Sequence, residues 1–399
     1  MVRRRYLGDT VLMQPFVANL RRRWSDAWIS MVVDTPYAPV MADVEELDEV
    51  LELPVGRLGL HRHASRWLRL LRAVVARGPW DLAFDFARNE RAQLLALLSR
   101  APVRLTYELG GAPLHRRWPY THVVAVSAAD REVLHTVDMN NLLLQAVGVP
   151  TPFRVPRLPV RSERRRAARG LLTGSPVWRD ARLDGPLVVV HPGSGAEARR
   201  WPPERFARVA DHLARRHGAR VVVLGGPAES GLAGRVTAAM AMPGRYVPAP
   251  ADVRDLAGLL AEADLLLCND SGPMHIAAAV GTPVCALYGA QSRVQWAPLG
   301  GADDRTLQPS LPCGAACVAA EVCVPRDPMH AHCIRRIEVS DVIRAVDAQM
   351  AARHLGAAAP ATAATDEAPG EADDPGEADA PVESDAPVDT TDEAAHAGR

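Results

Sequence analysis

The 399-residue chain contains no lysine, so all 46 of its basic residues are arginines. That absence alone excludes a Gly-Lys-Ser/Thr phosphate loop. Long apolar runs are missing too: none reaches the roughly 18 to 20 residues that a membrane-spanning helix requires. Gly8 and Asp9 interrupt the place where a secretory leader would carry its apolar stretch, so no leader is expected. Cysteine is scarce, with six in the whole chain, which excludes a disulfide scaffold and points to a reducing, cytoplasmic setting. No internal repeat of solenoid period occurs. What remains is 48% hydrophobic and 23% charged, the balance of a globular chain long enough to bury two cores.

Charge is unevenly placed. Residues 356–399 hold 12 acidic residues and a single arginine, whereas the body carries 45 arginines against 35 acidic residues, a net of +10. The tail has no Leu, Ile, Phe, Trp or Tyr, so it cannot offset its ordering entropy by apolar burial and is expected to be disordered. A basic body suits phosphate-bearing ligands or an anionic membrane face without specifying either, and nucleic acid is not an expected partner.

Strand and helix patterns alternate along the body, the signature of parallel α/β domains. Ile29–Val33, Asp81–Ala87 and Val103–Tyr107 read as buried strands, with helices near Pro15–Arg23 and Arg66–Ala76. A proline-rich stretch, Pro150–Pro186, with arginines at 164–166, breaks the rhythm and reads as a connection that is partly helical. The pattern restarts with a strand at Leu187–His191. A helix at Pro203–His217 follows, carrying Phe206, Val209, Ala210 and Leu213 at i, i+3, i+4 and i+7, with Gly218 as its cap. Val221–Leu224, Leu265–Cys268 and Pro283–Leu287 are further strands. The expected architecture is two Rossmann-like domains facing a cleft, divided as 1–155, a connection 156–186, 187–355 and the tail 356–399.

Three strand-end loops in the second half carry chemistry. In Leu265–His275 a buried strand ends at Asn269-Asp270 and a helix begins at Ser271-Gly272-Pro273. Ser271 suits the cap, Gly272 admits a ligand to the backbone, and the positive helix end lies at the carboxyl edge of a parallel sheet, where α/β domains hold phosphates. Asp270 suits sugar or ribose hydroxyls rather than a phosphate. His191-Pro192-Gly193-Ser194-Gly195 opens a second such loop, followed by Arg199 and Arg200, whose guanidiniums suit a diphosphate. Gly225–Glu229 ends the next strand and leaves Glu229 placed for a ribose diol. Taken singly, each loop also reads as an ordinary turn; together they describe a site for a nucleoside diphosphate. The glycines do not follow the dinucleotide spacing.

With those segments in view, the chain resembles glycosyltransferase family 9, the ADP-heptose:lipopolysaccharide heptosyltransferases and their relatives. The resemblance rests on His191–Trp201, Asn269–His275, Gly281-Thr282-Pro283, Ala286–Gly289 and Trp296-Ala297-Pro298, and it extends to Tyr6–Leu12, Pro15 and Leu20-Arg21. It implies a GT-B fold with the acceptor on the first domain and the nucleotide sugar on the second. It also implies inversion at the anomeric carbon without a metal or other required cofactor, with Asp9 as general base. Ser194 and Arg200 then match diphosphate positions, Glu229 the ribose position and Asp270 the sugar position, while Ser271 and Gly272 supply the helix end; His191, Gly193, Arg199 and His275 complete the donor segments. Arg200 stands where the family commonly has lysine, which keeps the charge and adds a planar fork. Three arginines, Arg3–Arg5, occupy the first strand where relatives are apolar, so that strand should be short. Partners implied are a nucleotide-diphosphate sugar and a glycolipid or glycan acceptor, met by peripheral contact with the inner membrane face. A sugar-nucleotide epimerase, a GT-B enzyme with another donor, or a non-catalytic nucleotide-sugar-binding protein are the alternatives.

Two further segments stay open. Cys313, Cys317, Cys323 and Cys333 share one stretch in the spacing C-x3-C-x5-C-x9-C, which allows a structural zinc site, reduced thiols or a local disulfide. Cys268 and Cys285 fall inside strand patterns and read as core. His135 to Gly148 reads either as a helix surface or as an acceptor contact.

Overall fold

The structure is a computed structural model that describes residues 1–3, 6–55, 60–173, 185–289, 291–301, 303–309 and 333–358. It contains two six-stranded parallel sheets with the same internal order. The first comprises β1 (Val2–Arg3), β2 (Ser30–Asp34), β3 (Glu49–Leu53), β4 (Leu82–Asp85), β5 (Val103–Leu109) and β6 (His122–Val126), arranged β3-β2-β1-β4-β5-β6. The second comprises β7 (Leu187–His191), β8 (Arg220–Gly225), β9 (Gly244–Pro248), β10 (Leu265–Asn269), β11 (Val284–Leu287) and β12 (Arg305–Leu307), arranged β12-β11-β10-β7-β8-β9. Each is the doubly wound order 3-2-1-4-5-6, whose switch point lies between its first and fourth strands. The expected pair of Rossmann-like domains is borne out, and β1 is as short as its arginines suggested.

Helices flank both sheets: α1 (Leu7–Val11), α2 (Gln14–Arg23), α3 (Leu60–Ala76), α4 (Glu90–Leu98), α5 (Ala128–Val133), α6 (Thr136–Gln145), α7 (Ser162–Thr173), α8 (Pro203–His217), α9 (Ser230–Ala239), α10 (Val253–Ala261), α11 (Gly272–Ala279), α12 (Arg293–Trp296) and α13 (Val339–Ala358). The stripe foreseen on α8 is fully buried at Phe206, Val209, Ala210 and Leu213, and Gly218 ends the helix at φ 63°.

Two segments add detail at the expected boundaries. The connection 156–186 contributes a whole helix, α7, to the second half. Arg164 pairs with Asp255 at 2.5 Å, Arg165 and Arg169 both pair with Glu262, and the Arg164 carbonyl lies 2.9 Å from where a Cβ on Gly258 would stand. Arg164 and Arg165 are thus spent on α10 and its C-cap, while Arg166 bonds Ser162 on its own helix. Helix α13 runs through Gly356 to Ala358, into the segment expected to be disordered, and the rest of the acidic tail lies outside the described residues.

The two sheets are joined by apolar packing. Phe16, Met41 and Val44 belong to the same buried cluster as Leu256, Met274 and Ile276. A joint of this kind holds two domains in a defined relation, unlike a polar one.

Candidate functional site

The three loops named from the sequence meet at the switch point of the second sheet. Strands β7 and β10 are neighbours there, with His191 in register with Cys268. Their loops are tied by Asn269, whose Nδ2 donates to the Pro192 carbonyl at 2.7 Å and whose Oδ1 accepts from the Trp201 backbone N–H at 3.1 Å. Asn269 is fully buried, so both halves of its amide are committed to this tie. Trp201 is fully buried as well, edge-on to Phe206, with its indole N–H on the Ile337 carbonyl at 3.0 Å. The loop carrying the two arginines is thereby pinned at both ends.

Inside that frame a polar chain crosses the crevice. His191 Nε2 lies 3.3 Å from Glu229 Oε2, and His191 Nδ1 lies 3.2 Å from Ser271 Oγ. For a neutral ring, Nε2–H donates to the carboxylate and Nδ1 accepts from the Ser271 hydroxyl. Ser271 occupies the N-cap position of α11 but makes no side-chain cap bond. The expected cap is corrected on this point: His191 on the adjacent strand takes the hydroxyl instead. The Glu229 carboxyl is held down to about 2, foremost by the His191 hydrogen bond, with the Gly226 N–H and the Arg200 charge adding to it against burial. A Cβ on Gly193 would lie 2.0 Å from Glu229 Oε1, so a larger residue here would displace this carboxylate from His191.

The two arginines have different partners. Arg199 Nη1 is 3.4 Å from Asp270 Oδ2. Arg200 wraps the Ser194 carbonyl with Nε at 3.1 Å and Nη2 at 2.8 Å, and Ser194 Oγ donates to the Asp270 carbonyl at 3.1 Å. Burial raises the Asp270 carboxyl above the ordinary range, partly offset by Arg199.

Asp9 approaches this crevice from the first domain. It lies on α1, buried, and is ion-paired with Arg3, which also donates to the Phe86 carbonyl at 3.5 Å. Two glycines bring the domains into close contact here. A Cβ on Gly8 would lie 2.5 Å from His275 Cδ2, and a Cβ on Gly272 would lie 2.9 Å from Leu7 Cβ. Each glycine of α1 and α11 therefore lies directly against a side chain of the other helix, Gly8 against the His275 ring and Gly272 against Leu7. Beside them a cavity of about 210 Å³ is lined by Arg3, Asp9, Phe86, Arg88 and Arg131 from one domain and by Gln295 and Trp296 from the other.

Two sequence expectations change here. His275, expected among the donor contacts, is 4% exposed and turned into the domain contact beneath Gly8. Burial, reinforced by His135, lowers it to about 3. His135 is buried and so is no helix surface, while Thr136 and Met139 of the same stretch line the cavity beside Asp9. His135 caps α6, with Nδ1 accepting from the Val137 N–H at 3.1 Å, and its Nε2 meets the Ala297 carbonyl of the other domain at 3.0 Å. Thr136 Oγ1 donates to the Gln295 carbonyl at 2.9 Å, and Gln295 in turn donates to the Arg131 carbonyl. This stretch is a second interdomain joint.

The profile of glycosyltransferase family 9 (heptosyltransferase) matches residues 67–321. The chain belongs to that family. It is a glycosyltransferase. Lipopolysaccharide heptosyltransferase 3 of Escherichia coli strain K12 is 25% identical over 299 residues, which cover 74% of this chain and 83% of that protein. The structure of a family 9 glycosyltransferase from Veillonella parvula DSM 2008 superposes with a TM-score of 0.73 at 25% identity, covering 88% of this chain and 96% of that one. Escherichia coli ADP-heptose lps heptosyltransferase II shares the GT-B fold with a TM-score of 0.68 at 19% identity, covering 88% and 98%.

In this family 9 enzyme Cys268 and Cys285 are buried on adjacent strands, as core residues, and burial pushes the Cys285 thiol up to about 12. Cys313, Cys317 and Cys323 of the suggested zinc set lie outside the described residues. Among the described residues no helix is long and apolar enough to cross a membrane.

Proposed function

We propose that this enzyme transfers a heptose from ADP-heptose to a lipopolysaccharide-type glycolipid acceptor, in the cytoplasm and in peripheral contact with the inner membrane. The observation that carries the reading is the convergence of the His191–Arg200, Gly225–Glu229 and Asn269–Gly272 loops on one switch point, with Asp9 brought to it across the Gly8–His275 contact. The names of the relatives, lipopolysaccharide heptosyltransferases 2 and 3, support heptose as the sugar and lipopolysaccharide as the acceptor class.

In this reading Ser194, Gly272 and the α11 amides receive the diphosphate with Arg199 and Arg200, Glu229 binds the ribose diol, and Asp270 and His191 face the sugar. The acceptor lies on residues 1–155 and the donor on 187–355. Asp9 takes the proton of the acceptor hydroxyl as that oxygen attacks the anomeric carbon from the face opposite the diphosphate. The new C–O bond forms as the bond to phosphate breaks, and ADP leaves with the electron pair while the arginines and helix end balance its charge. The sugar is inverted. The residues offered to the diphosphate are amides, a hydroxyl and guanidiniums, and the two nearby carboxylates are engaged by His191 and Arg199, which favours a reaction without a divalent ion.

Calorimetry with ADP-, GDP-, UDP- and dTDP-sugars tests the donor. Selective binding of ADP-heptose is expected. Preference for a UDP- or dTDP-sugar would replace this donor assignment.

A further inference from the structure

A second cluster of chemistry lies at the other end of α8 from the arginine loop, roughly 20 Å along a 15-residue helix. His212 and His217 on α8 both point Nε2 at one atom of α13, Asp347 Oδ1, at 2.9 and 2.7 Å. The rings are edge-to-face, with centroids 6.2 Å apart, so each approaches the carboxylate from its own direction. Arg216 Nε lies 3.8 Å from the other oxygen, Oδ2, and leaves Oδ1 to the imidazoles. The three side chains are half-buried rather than free in solvent: 26%, 12% and 29% exposed for His212, His217 and Asp347.

We infer that His212, His217 and Asp347 form a binding site for a divalent first-row transition metal, of which zinc is the representative ion. Two imidazole nitrogens and one carboxylate oxygen are the ligand types zinc accepts, and three protein ligands leave a fourth position for water. The geometry needs little adjustment. The three ligand atoms already lie within 4.8 Å of one another. Zinc–nitrogen and zinc–oxygen bonds of about 2.0 to 2.1 Å place tetrahedral ligands about 3.3 Å apart. Both imidazoles therefore retreat from Oδ1 by only about half an ångström to admit the ion, while Arg216 stays on Oδ2 and orients the carboxylate. Deprotonated imidazole nitrogens replace two N–H donors, so binding releases or relocates protons, as metal sites do.

The site would act as a staple. Val342, Val346 and Met350 of α13 are buried in the core of the second domain, and Asp347 lies on the turn between them. A metal joining Asp347 to α8 fixes α13 against the helix whose opposite end carries the donor loop. This places the ion in the stability of the donor domain and outside the transfer chemistry.

The test uses the full chain, stripped with a chelator and dialysed, then titrated with zinc by calorimetry and with cobalt(II) by absorption. One equivalent is expected to bind, with a rise in melting temperature on the order of 5 °C at a hundredfold excess over Kd. The cobalt complex should show visible bands from nitrogen and oxygen ligands without thiolate charge transfer. H217N and D347N should each weaken binding by at least tenfold, and H212N should do the same. A thiolate spectrum retained in the H212N/H217N protein would move the metal to the cysteine stretch and overturn the assignment, as would the absence of binding to the wild-type chain. Should the variants fail to fold, the imidazole ¹⁵N resonances of the wild-type protein decide. The Nε2 signals of His212 and His217 must shift together at one equivalent of zinc; if they stay unmoved the site does not exist.

Discussion

Replacing Gly8 by alanine puts a methyl group where the backbone of α1 lies against the His275 ring of the other domain. That Cβ would stand 2.5 Å from His275 Cδ2 and 3.1 Å from Nε2, well inside the roughly 3.5 to 4.0 Å of ordinary carbon contact. His275 is buried and cannot swing clear, so the contact must open or deform. Overpacking of this kind costs about 1 to 3 kcal/mol. Because Gly8 lies inside α1, alanine should favour the helix itself by about 0.5 to 1 kcal/mol, and the first domain alone should not suffer. The cost then falls on the apposed arrangement, lowering its population by about 5- to 150-fold. Transfer kinetics should show kcat/KM falling within that range, while calorimetry finds donor affinity changed by less than a few fold. Removing the imidazole restores the space, so G8A/H275A should recover part of the loss and the two effects should not add. Full turnover in G8A, or strict additivity in the double variant, would refute the claim that this contact belongs to the working conformation.

Other expectations follow from the same geometry. R200A should weaken ADP and the ADP-sugar alike, by about 1.5 to 3 kcal/mol for a charged hydrogen bond; calorimetry on both ligands reads this, and equal affinity would move the charge to Arg199. His275 is held near 3 in the folded chain and titrates near 6.5 when unfolded, so the unfolded state binds the extra proton. Its contribution is complete above about pH 6.5 and is lost as pH falls toward about 3, by up to about 1.4 kcal/mol per unit. Urea unfolding at pH 7 and pH 5 should therefore differ less in H275L than in the wild-type chain.

Much of this fold was legible in the sequence, and what was not has a common cause. Strands β2, β4, β5, β7, β8, β10 and β11 show as apolar runs because they lie inside their sheets, covered on both faces. The four strands that gave no signal, β3, β6, β9 and β12, are the four sheet edges. Glu49 and Glu52, His122, Arg245, and Arg305 interrupt them, as half-exposed edge strands allow. At the site, residue types and loops could be read because a helix start after a parallel strand has a fixed chemistry. Partners across the chain could not. Ser271 satisfied every rule for a cap, yet a histidine 80 residues away in sequence competes for its hydroxyl. Asn269 stood inside a recognised motif, and its tie to Pro192 and Trp201 depends on the β7–β10 pairing. His135 and His275 carried the polar look of ligand contacts, whereas both are spent on joining the domains. Arg3 looked like an oddity in a strand until its carboxylate partner, Asp9, was located.

The central claim is a base-assisted transfer from a nucleotide sugar, with Asp9 as the base. Its most direct test is product analysis by mass spectrometry with ADP-heptose and a heptose-deficient lipopolysaccharide acceptor, comparing wild-type and D9N enzyme in excess EDTA. The wild-type protein should add one heptose to the acceptor in EDTA. D9N should bind donor normally and transfer about 10²- to 10⁴-fold more slowly. Near-normal transfer by D9N would contradict the assignment of the base, and loss of wild-type transfer in EDTA with recovery on adding magnesium would contradict the metal-free route.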